Sequence, residues 1–335
     1  VARELIKAGA EVNAANQRGS TALMLCCLNG HERVARALIE AGANLEAQMN
    51  LGHTALMLSC QNGHELCARD LIEAKADVNA AANNGMTALM AACANNHERV
   101  ARTLLEAKAD LEKQTTKGST ALMLACQNNH EHVARALIEV RANLEVQQHE
   151  GFTALMLACE HNHEHVARTL IEAGATMDAA EDEGYTAFML ACQEGHELCA
   201  HALIEAGAAL DARNKSGLQP IHLACSSGNL AMMQWLHSQG CSLDAQDSKG
   251  MQPIHNACVS GSLKVVQWLH TQGCSLEVLT ADQHSPLCVA QQYGYAELVA
   301  WLTGTIVATR QQIAETSLKQ AISSFMRDES ALEVL

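Results

Sequence analysis

The stretch Gly52-His53-Thr54-Ala55-Leu56-Met57-Leu58-Ser59-Cys60-Gln61-Asn62-Gly63-His64-Glu65-Leu66-Cys67-Ala68-Arg69-Asp70-Leu71-Ile72-Glu73-Ala74 decides the fold. Thr54 is placed to cap a helix, its hydroxyl accepting from a backbone N–H freed at the helix start. Leu56, Ser59 and Cys60 then recur at helical spacing, and Gly63 stands where a left-handed residue closes a helix. A second helix is expected through Leu66, Leu71 and Ile72, ending near Lys75. The polar run from Asp77 to Asn84 suits a tight turn or hairpin tip. The unit is therefore helix, turn, helix, extended loop.

The unit returns along the whole chain. Glycine stands at Gly19, Gly52, Gly85, Gly118, Gly151, Gly184, Gly217 and Gly250, a constant step of 33 residues. Such a period means stacked supersecondary units that bury their apolar faces only against neighbours. It overrides the division into two or three domains that 335 residues would otherwise suggest. Val1 aligns with Val34, so residues 1–15 read as the second half of a repeat, and the chain is expected to be a piece of a longer protein. Full repeats start near 16, 49, 82, 115, 148, 181, 214 and 247. A degenerate one fills 280–304, with Gln283 in place of glycine and Ser285-Pro286-Leu287-Cys288 as its motif. Together these make one repeat domain over 1–304. Residues 305–335 leave the pattern; Ile306, Ile313, Leu318, Ile322 and Phe325 form an apolar stripe that is expected to give a C-terminal helical cap or to begin the next region.

Composition narrows the function. Apolar residues make up 48% of the chain, yet Phe, Tyr and Trp number three each, so the core is Leu, Ala, Ile and Met. No apolar run is long enough to span a bilayer, and no membrane insertion of this segment is expected. The net charge of −15 argues against phosphate-backbone binding, and no nucleic-acid partner is expected.

The unit resembles the ankyrin repeat, whose signature is a Gly, T-P-L-H-x-A-A, G-H, a Leu-rich second helix and G-A-D-V-N. Gln219-Pro220-Ile221-His222 and Gln252-Pro253-Ile254-His255 come close to it. Gly30-His31, Gly63-His64 and Gly195-His196 carry the second-helix hallmark, with Asn in place of Gly before His97, His130 and His163. The resemblance covers 1–304. It implies an all-α ankyrin-repeat solenoid of stacked helix-turn-helix units with hairpin-like loops: about eight full repeats, a partial N-terminal one and a degenerate C-terminal one. Six repeats, Thr21–Met24 through Thr186–Met189, replace the Pro and His of the motif. They lose the family's Thr–His hydrogen bond, and methionine packing is expected to substitute.

Several constellations invite chemistry. Eight of the fourteen cysteines (Cys27, Cys60, Cys93, Cys126, Cys159, Cys192, Cys225, Cys258) share one register. Helices of adjacent repeats lie about 8–10 Å apart, whereas a disulfide needs Cα atoms within about 7 Å. One thiol per layer is also no zinc site. These cysteines read as small hydrophobes, and their number implies a reducing compartment, cytoplasmic or nuclear. Cys241 and Cys274 replace an Ala; Cys67 and Cys199 replace a Val. His161, His163 and His165 alternate, but i, i+2 neighbours on a helix do not face one another, so no metal site is expected. The other histidines largely fill the hallmark ladder, expected to cap the second helices. Glu32–Arg36, Glu65–Arg69, Glu98–Arg102, Glu131–Arg135 and Glu164–Arg168 are i, i+4 pairs of a solvated face. Trp235, Trp268 and Trp301 keep the same step and mark a second repeat subtype, either packed between second helices or open to a partner. Phosphate loop, nucleophile elbow and His-Glu-x-x-His are all missing, and no enzyme or cofactor is expected.

What remains is variation on a repeating background. In ankyrin proteins partners usually lie on the concave face, built from hairpin tips and the exposed side of the first helix. By register these are the residues beside each glycine and the pair before the G-H hallmark. Around Gly52 and Gly85 they are bland: Asn50, Leu51, His53, Gln61, Asn62, Asn83, Asn84 and Met86. Around Gly151 and Gly184 they turn acidic and aromatic: His149, Glu150, Phe152, Glu160, His161, Asp182, Glu183, Tyr185, Gln193 and Glu194. Aromatic anchors ringed by charge are the usual make-up of an interface hot spot. The expectation is a monomeric, non-catalytic scaffold that binds a basic or amphipathic protein segment there. The alternatives are a regulatory or substrate-recruiting arm of a kinase or ubiquitin ligase, and the cytoplasmic stack of an ion channel.

Overall fold

A computed structural model describes residues 2–332, with side chains described over 3–324. Val1 and the Phe325 side chain lie outside that range. Among the described residues there are nineteen α-helices, a short 3-10 turn at His149–Gly151 and only isolated β-bridges.

The helices come in pairs, as the opening stretch shows. Ala55–Gln61 and Glu65–Glu73 are its two helices. Thr54 caps the first, its Oγ1 accepting from the Met57 N–H at 3.3 Å. Asn62 and a left-handed Gly63 (φ +74°) end it. The six T-A-L-M or T-A-F-M repeats share this start, and the structure corrects the role of their methionine. The backbone N–H groups of Thr21, Thr120 and Thr153 donate to Sδ of Met24, Met123 and Met156 at 3.4, 3.5 and 3.5 Å. In the Pro-containing repeats the same job falls to the ring, His222 Nδ1 taking the Gln219 N–H at 3.1 Å and His255 Nδ1 taking the Gln252 N–H at 3.0 Å. Methionine here is an acceptor as well as a filler, which a buried N–H requires.

The chain divides into two compact units, residues 1–191 with 196–209 and residues 192–195 with 210–335. In the first, the short helices Ala22–Leu28, Ala55–Gln61, Ala88–Ala94, Ala121–Gln127 and Ala154–Glu160 form one layer and the longer ones from Glu32–Glu40 to Glu164–Glu172 another. Between them lie Leu56, Met57, Leu71, Leu89, Met90, Leu104, Leu122, Met123 and Leu137, all 2% exposed or less. Cys27, Cys60, Cys93, Cys126 and Cys159 belong to this core, while Cys192, Cys225 and Cys258 lie in the second unit; all eight rungs are fully buried at 0%.

Polar groups stitch one repeat to the next. The Asp77 N–H donates to Glu46 Oε1, the Asp110 N–H to Asn79 Oδ1 and the Asn143 N–H to Glu112 Oε1, each at 2.8 Å. The hallmark histidines do likewise, which revises their expected role. His64, His97, His130 and His163 occupy N-cap positions but make no capping bond. Their Nε2 atoms instead meet Leu28 O, Gln61 O, Ala94 O and Gln127 O of the preceding repeat at 2.9–3.1 Å. His161 and His163 sit in the turn before the helix, so the i, i+2 rule does not hold them apart. Their rings stack at 5.9 Å. All five Glu–Arg pairs form, at 2.6–2.9 Å, and Arg36, Arg102 and Arg168 reach on to Asp70, Glu139 and Glu205.

The second unit uses proline at its helix starts, in Pro220–Ser226, Pro253–Val259 and Pro286–Gln292, where the missing N–H costs nothing. Trp268 and Trp301 are half-buried, each receiving an edge-on histidine, His237 at 5.6 Å and His270 at 5.9 Å. The final helix runs without a break from Ala296 to Leu332. Leu298 and Leu302 at its start are buried, whereas Val307, Ile313, Leu318 and Ile322 are 50–62% exposed.

This unit should be sensitive to acid. His222 and His255 are 0% exposed, and burial pushes both imidazoles below their ordinary range. The unfolded chain takes up these protons first, near the usual value of about 6.5. The stability they support is therefore fully present above that pH and is lost as pH falls below it toward the depressed folded-state values. All three tryptophans lie in this unit, so urea unfolding followed by Trp fluorescence at neutral and mildly acid pH reads it directly. The midpoint should drop with acid, and His222→Met, which copies the other repeats, should flatten the dependence.

Candidate functional site

Hairpin tips of successive repeats in the first unit are joined backbone to backbone. The Asn83 N–H donates to Leu51 O at 3.1 Å, Thr116 to Asn84 O at 2.9 Å, His149 to Lys117 O at 3.0 Å and Asp182 to Glu150 O at 3.1 Å. Arg18, Leu51, Asn84, Lys117 and Glu150, each just before a tip glycine, thus accept a bond from the next tip, and the side chain at this position varies while the backbone repeats. Arg18, Leu51, Asn84, Lys117, Glu150 and Glu183 occupy this row in order. The row changes sign between Lys117 and Glu150, two directly bonded tips.

The candidate residues fall around that change. His149, Glu150, His161, Asp182 and Glu183 are exposed; Phe152, Glu160 and Tyr185 are half-buried. Phe152 and Tyr185 each follow a tip glycine. Glu150 is held left-handed (φ +78°) within the 3-10 turn. Glu181 fixes the next tip, its Oε1 accepting from the Glu183 and Tyr185 N–H groups at 2.9 and 2.8 Å. Among the described residues no ion pair joins Glu150, Asp182 or Glu183 to a basic side chain. Their charge is therefore available to a partner. His161 instead turns inward, Nδ1 meeting Leu157 O at 2.9 Å and lying 3.6 Å from Glu160 Oε2. Gln193 and Glu194 belong to the second unit, where Gln193 Nε2 donates to Glu194 Oε1 at 3.1 Å.

Next to these carboxylates lies a groove of about 540 Å³, lined by Met86, Lys117, Leu124, Gln127, His149 and Glu150 among others. Lys117 and Leu124 were not among the residues singled out from the sequence. The signal was there for Lys117, which shares the register of Glu150 and Glu183. Leu124 looked like core, since it keeps the leucine spacing of its helix, but it is only half-buried.

Among the described residues no group of three or more His, Cys, Asp or Glu is disposed to hold a metal. All fourteen cysteines are free. Burial pushes the Cys60 and Cys258 thiols up to about 12, where they are inert at neutral pH. Among the described residues no helix is long and apolar enough to cross a membrane.

A family model described as "Ankyrin repeats (3 copies)" matches in overlapping blocks from 1–82 to 221–312. The structure is similar to the crystal structure of the human ASB11 ankyrin repeat domain, with a TM-score of 0.60 and 25% sequence identity. That match covers 67% of this chain and 99% of the other. No curated protein matches the chain.

Proposed function

The chain belongs to the ankyrin-repeat family, and from that premise we propose that it is a non-catalytic scaffold gripping a basic or amphipathic protein segment across its hairpin tips and concave groove. The family's repeats generally mediate protein–protein contact. The observation that carries the finer reading is the pair of half-buried aromatics, Phe152 and Tyr185, set at successive tips among the unpaired carboxylates Glu150, Asp182 and Glu183. Rigid aromatic rings offer contact area at little entropic cost, and unpaired acids beside them select for positive charge. A partner segment lying along the groove would meet Leu124 and Met86 with its apolar face and the acidic tips with its basic one. It binds a monomer of this chain, and the free thiols fit a reducing compartment.

The test is a comparison of Phe152→Ala/Tyr185→Ala with the parent chain in affinity capture followed by mass spectrometry. Proteins bearing basic segments should be retained at least about tenfold less well, the equivalent of 1.4 kcal/mol. The melting temperature should stay the same, because neither ring is part of the buried core. Unchanged capture with both rings removed would discard the patch.

A further inference from the structure

We infer that the second unit carries a docking groove of its own, between the tips of Lys249 and Asp282, for a partner segment that sets one acidic and one basic side chain either side of an apolar one. The groove measures about 190 Å³ and is lined by Lys249, Met251, Val259, Asp282, Val289 and Tyr293 among others. It has room for one side chain of leucine or phenyl size, since a cavity of about 150 Å³ takes benzene. Its apolar lining is the deeper part. Val289 is buried and Met251 and Val259 are half-buried, whereas Lys249 and Asp282 are exposed.

The charge pattern repeats one found in the first unit. Lys249 stands before Gly250 as Lys117 stands before Gly118, and Asp282 holds the place of Glu150. The Ala281 N–H donates to Lys249 O at 2.9 Å, the counterpart of the His149 N–H on Lys117 O at 3.0 Å. Directly bonded tips thus pass from lysine to a carboxylate in each unit, and the same juxtaposition arises twice. Among the described residues no ion pair engages Lys249 or Asp282, with each other or with any other group. Two opposite charges one repeat apart, about 8–10 Å, are therefore left to a partner that matches both. A uniformly basic segment would meet repulsion at Lys249, and a uniformly acidic one at Asp282.

The aromatic wall of the groove is oriented by the fold. Tyr295 takes the register of the hallmark histidines, and its hydroxyl donates to Val259 O of the preceding repeat at 3.1 Å. Tyr293 stacks on that anchored ring, with centroids 6.3 Å apart and planes at 9°. It nevertheless stays 51% exposed. A large ring that is both held and open gives a partner contact area at little entropic cost. None of this involves Phe152, Tyr185 or the first unit.

The experiment uses the full chain with Lys117→Ala and Glu150→Ala, both exposed positions, so that the charges of the first groove do not compete. The probe is a helical peptide with Glu and Lys two turns apart, about 10 Å on one face, and with leucine and a benzophenone cross-linker between them. Irradiation and peptide mapping should place the adduct on Met251 or Tyr293. Lys249→Glu and Asp282→Lys should each weaken the peptide about fivefold or more in fluorescence anisotropy, with circular dichroism unchanged. The double variant K249E/D282K should recover the affinity, because the peptide then lies the other way round. A peptide with Lys at both positions should bind about fivefold more weakly and should prefer the Lys249→Glu chain. Adducts confined to the first groove, single reversals without effect, or a double variant no better than the singles would overturn the assignment.

Discussion

Truncating Leu137 to alanine will lower the unfolding free energy of the first unit by about 2–5 kcal/mol, the range for deleting a fully buried leucine side chain. Leu137 is 0% exposed on the helix Glu131–Glu139, in the middle of that unit. In a stack the stability is a sum of repeat terms and nearest-neighbour interface terms. The cavity therefore weakens a repeat and both of its junctions together, and unfolding should also become less cooperative. Urea titration followed by circular dichroism measures both effects. Leu66→Ala is the matched control, since Leu66 is 51% exposed on the equivalent helix of another repeat. It should change stability by no more than about 0.5 kcal/mol, as surface substitutions do. Equal losses from the two variants would show that these helices do not bury the face described.

The second large effect is at Gly151, where fold and recognition meet. Its φ of +82° is left-handed, and a Cβ there would stand 2.8 Å from the Asp182 N and 2.9 Å from Glu181 Cα. These are backbone atoms of the next hairpin tip, so no side-chain rotation relieves the clash. Gly151→Ala should cost about 1–2 kcal/mol for the conformation alone, and on the order of 3 kcal/mol once the tip is forced aside. The displaced tip carries Asp182, Glu183 and Tyr185, so partner capture should fall even under conditions where the chain remains folded. Gly174→Ala separates the two causes. Gly174 is also left-handed, at φ +88°, but nothing lies within 4 Å of its added methyl. That variant should show only the conformational penalty and keep its binding. Thermal melts paired with capture assays distinguish them.

The architecture was legible in the residues because each unit declares itself locally. Thr54 and Gly63 bracket a helix whatever surrounds them, and a constant glycine step makes eight weak signals into one strong one. The five Glu–Arg pairs were legible for the same reason, being contacts within a single helix. Contacts between repeats were read poorly. His64 looks like a cap when only its own helix is considered, yet its ring reaches Leu28 O in the repeat before. Met24 looks like filler until the Thr21 N–H is seen to need an acceptor. At the candidate site, register alone picked out Glu150 and Glu183. The groove beside them required the depth of Leu124, which depends on how far neighbouring tips stand from the helix.

The stitching between repeats has a consequence for the history of such a chain. Each backbone donor finds a side-chain oxygen in the preceding repeat at the same register, 31 residues back: Asp77 on Glu46, Asp110 on Asn79, Asn143 on Glu112. Within the first unit the junction is therefore translationally symmetric, and any repeat's trailing edge fits any other's leading edge. Unequal recombination that adds or removes one whole repeat creates no new interface and strands no polar group. The number of repeats is thus free to drift by duplication, while the few tip residues that differ are free to acquire a partner.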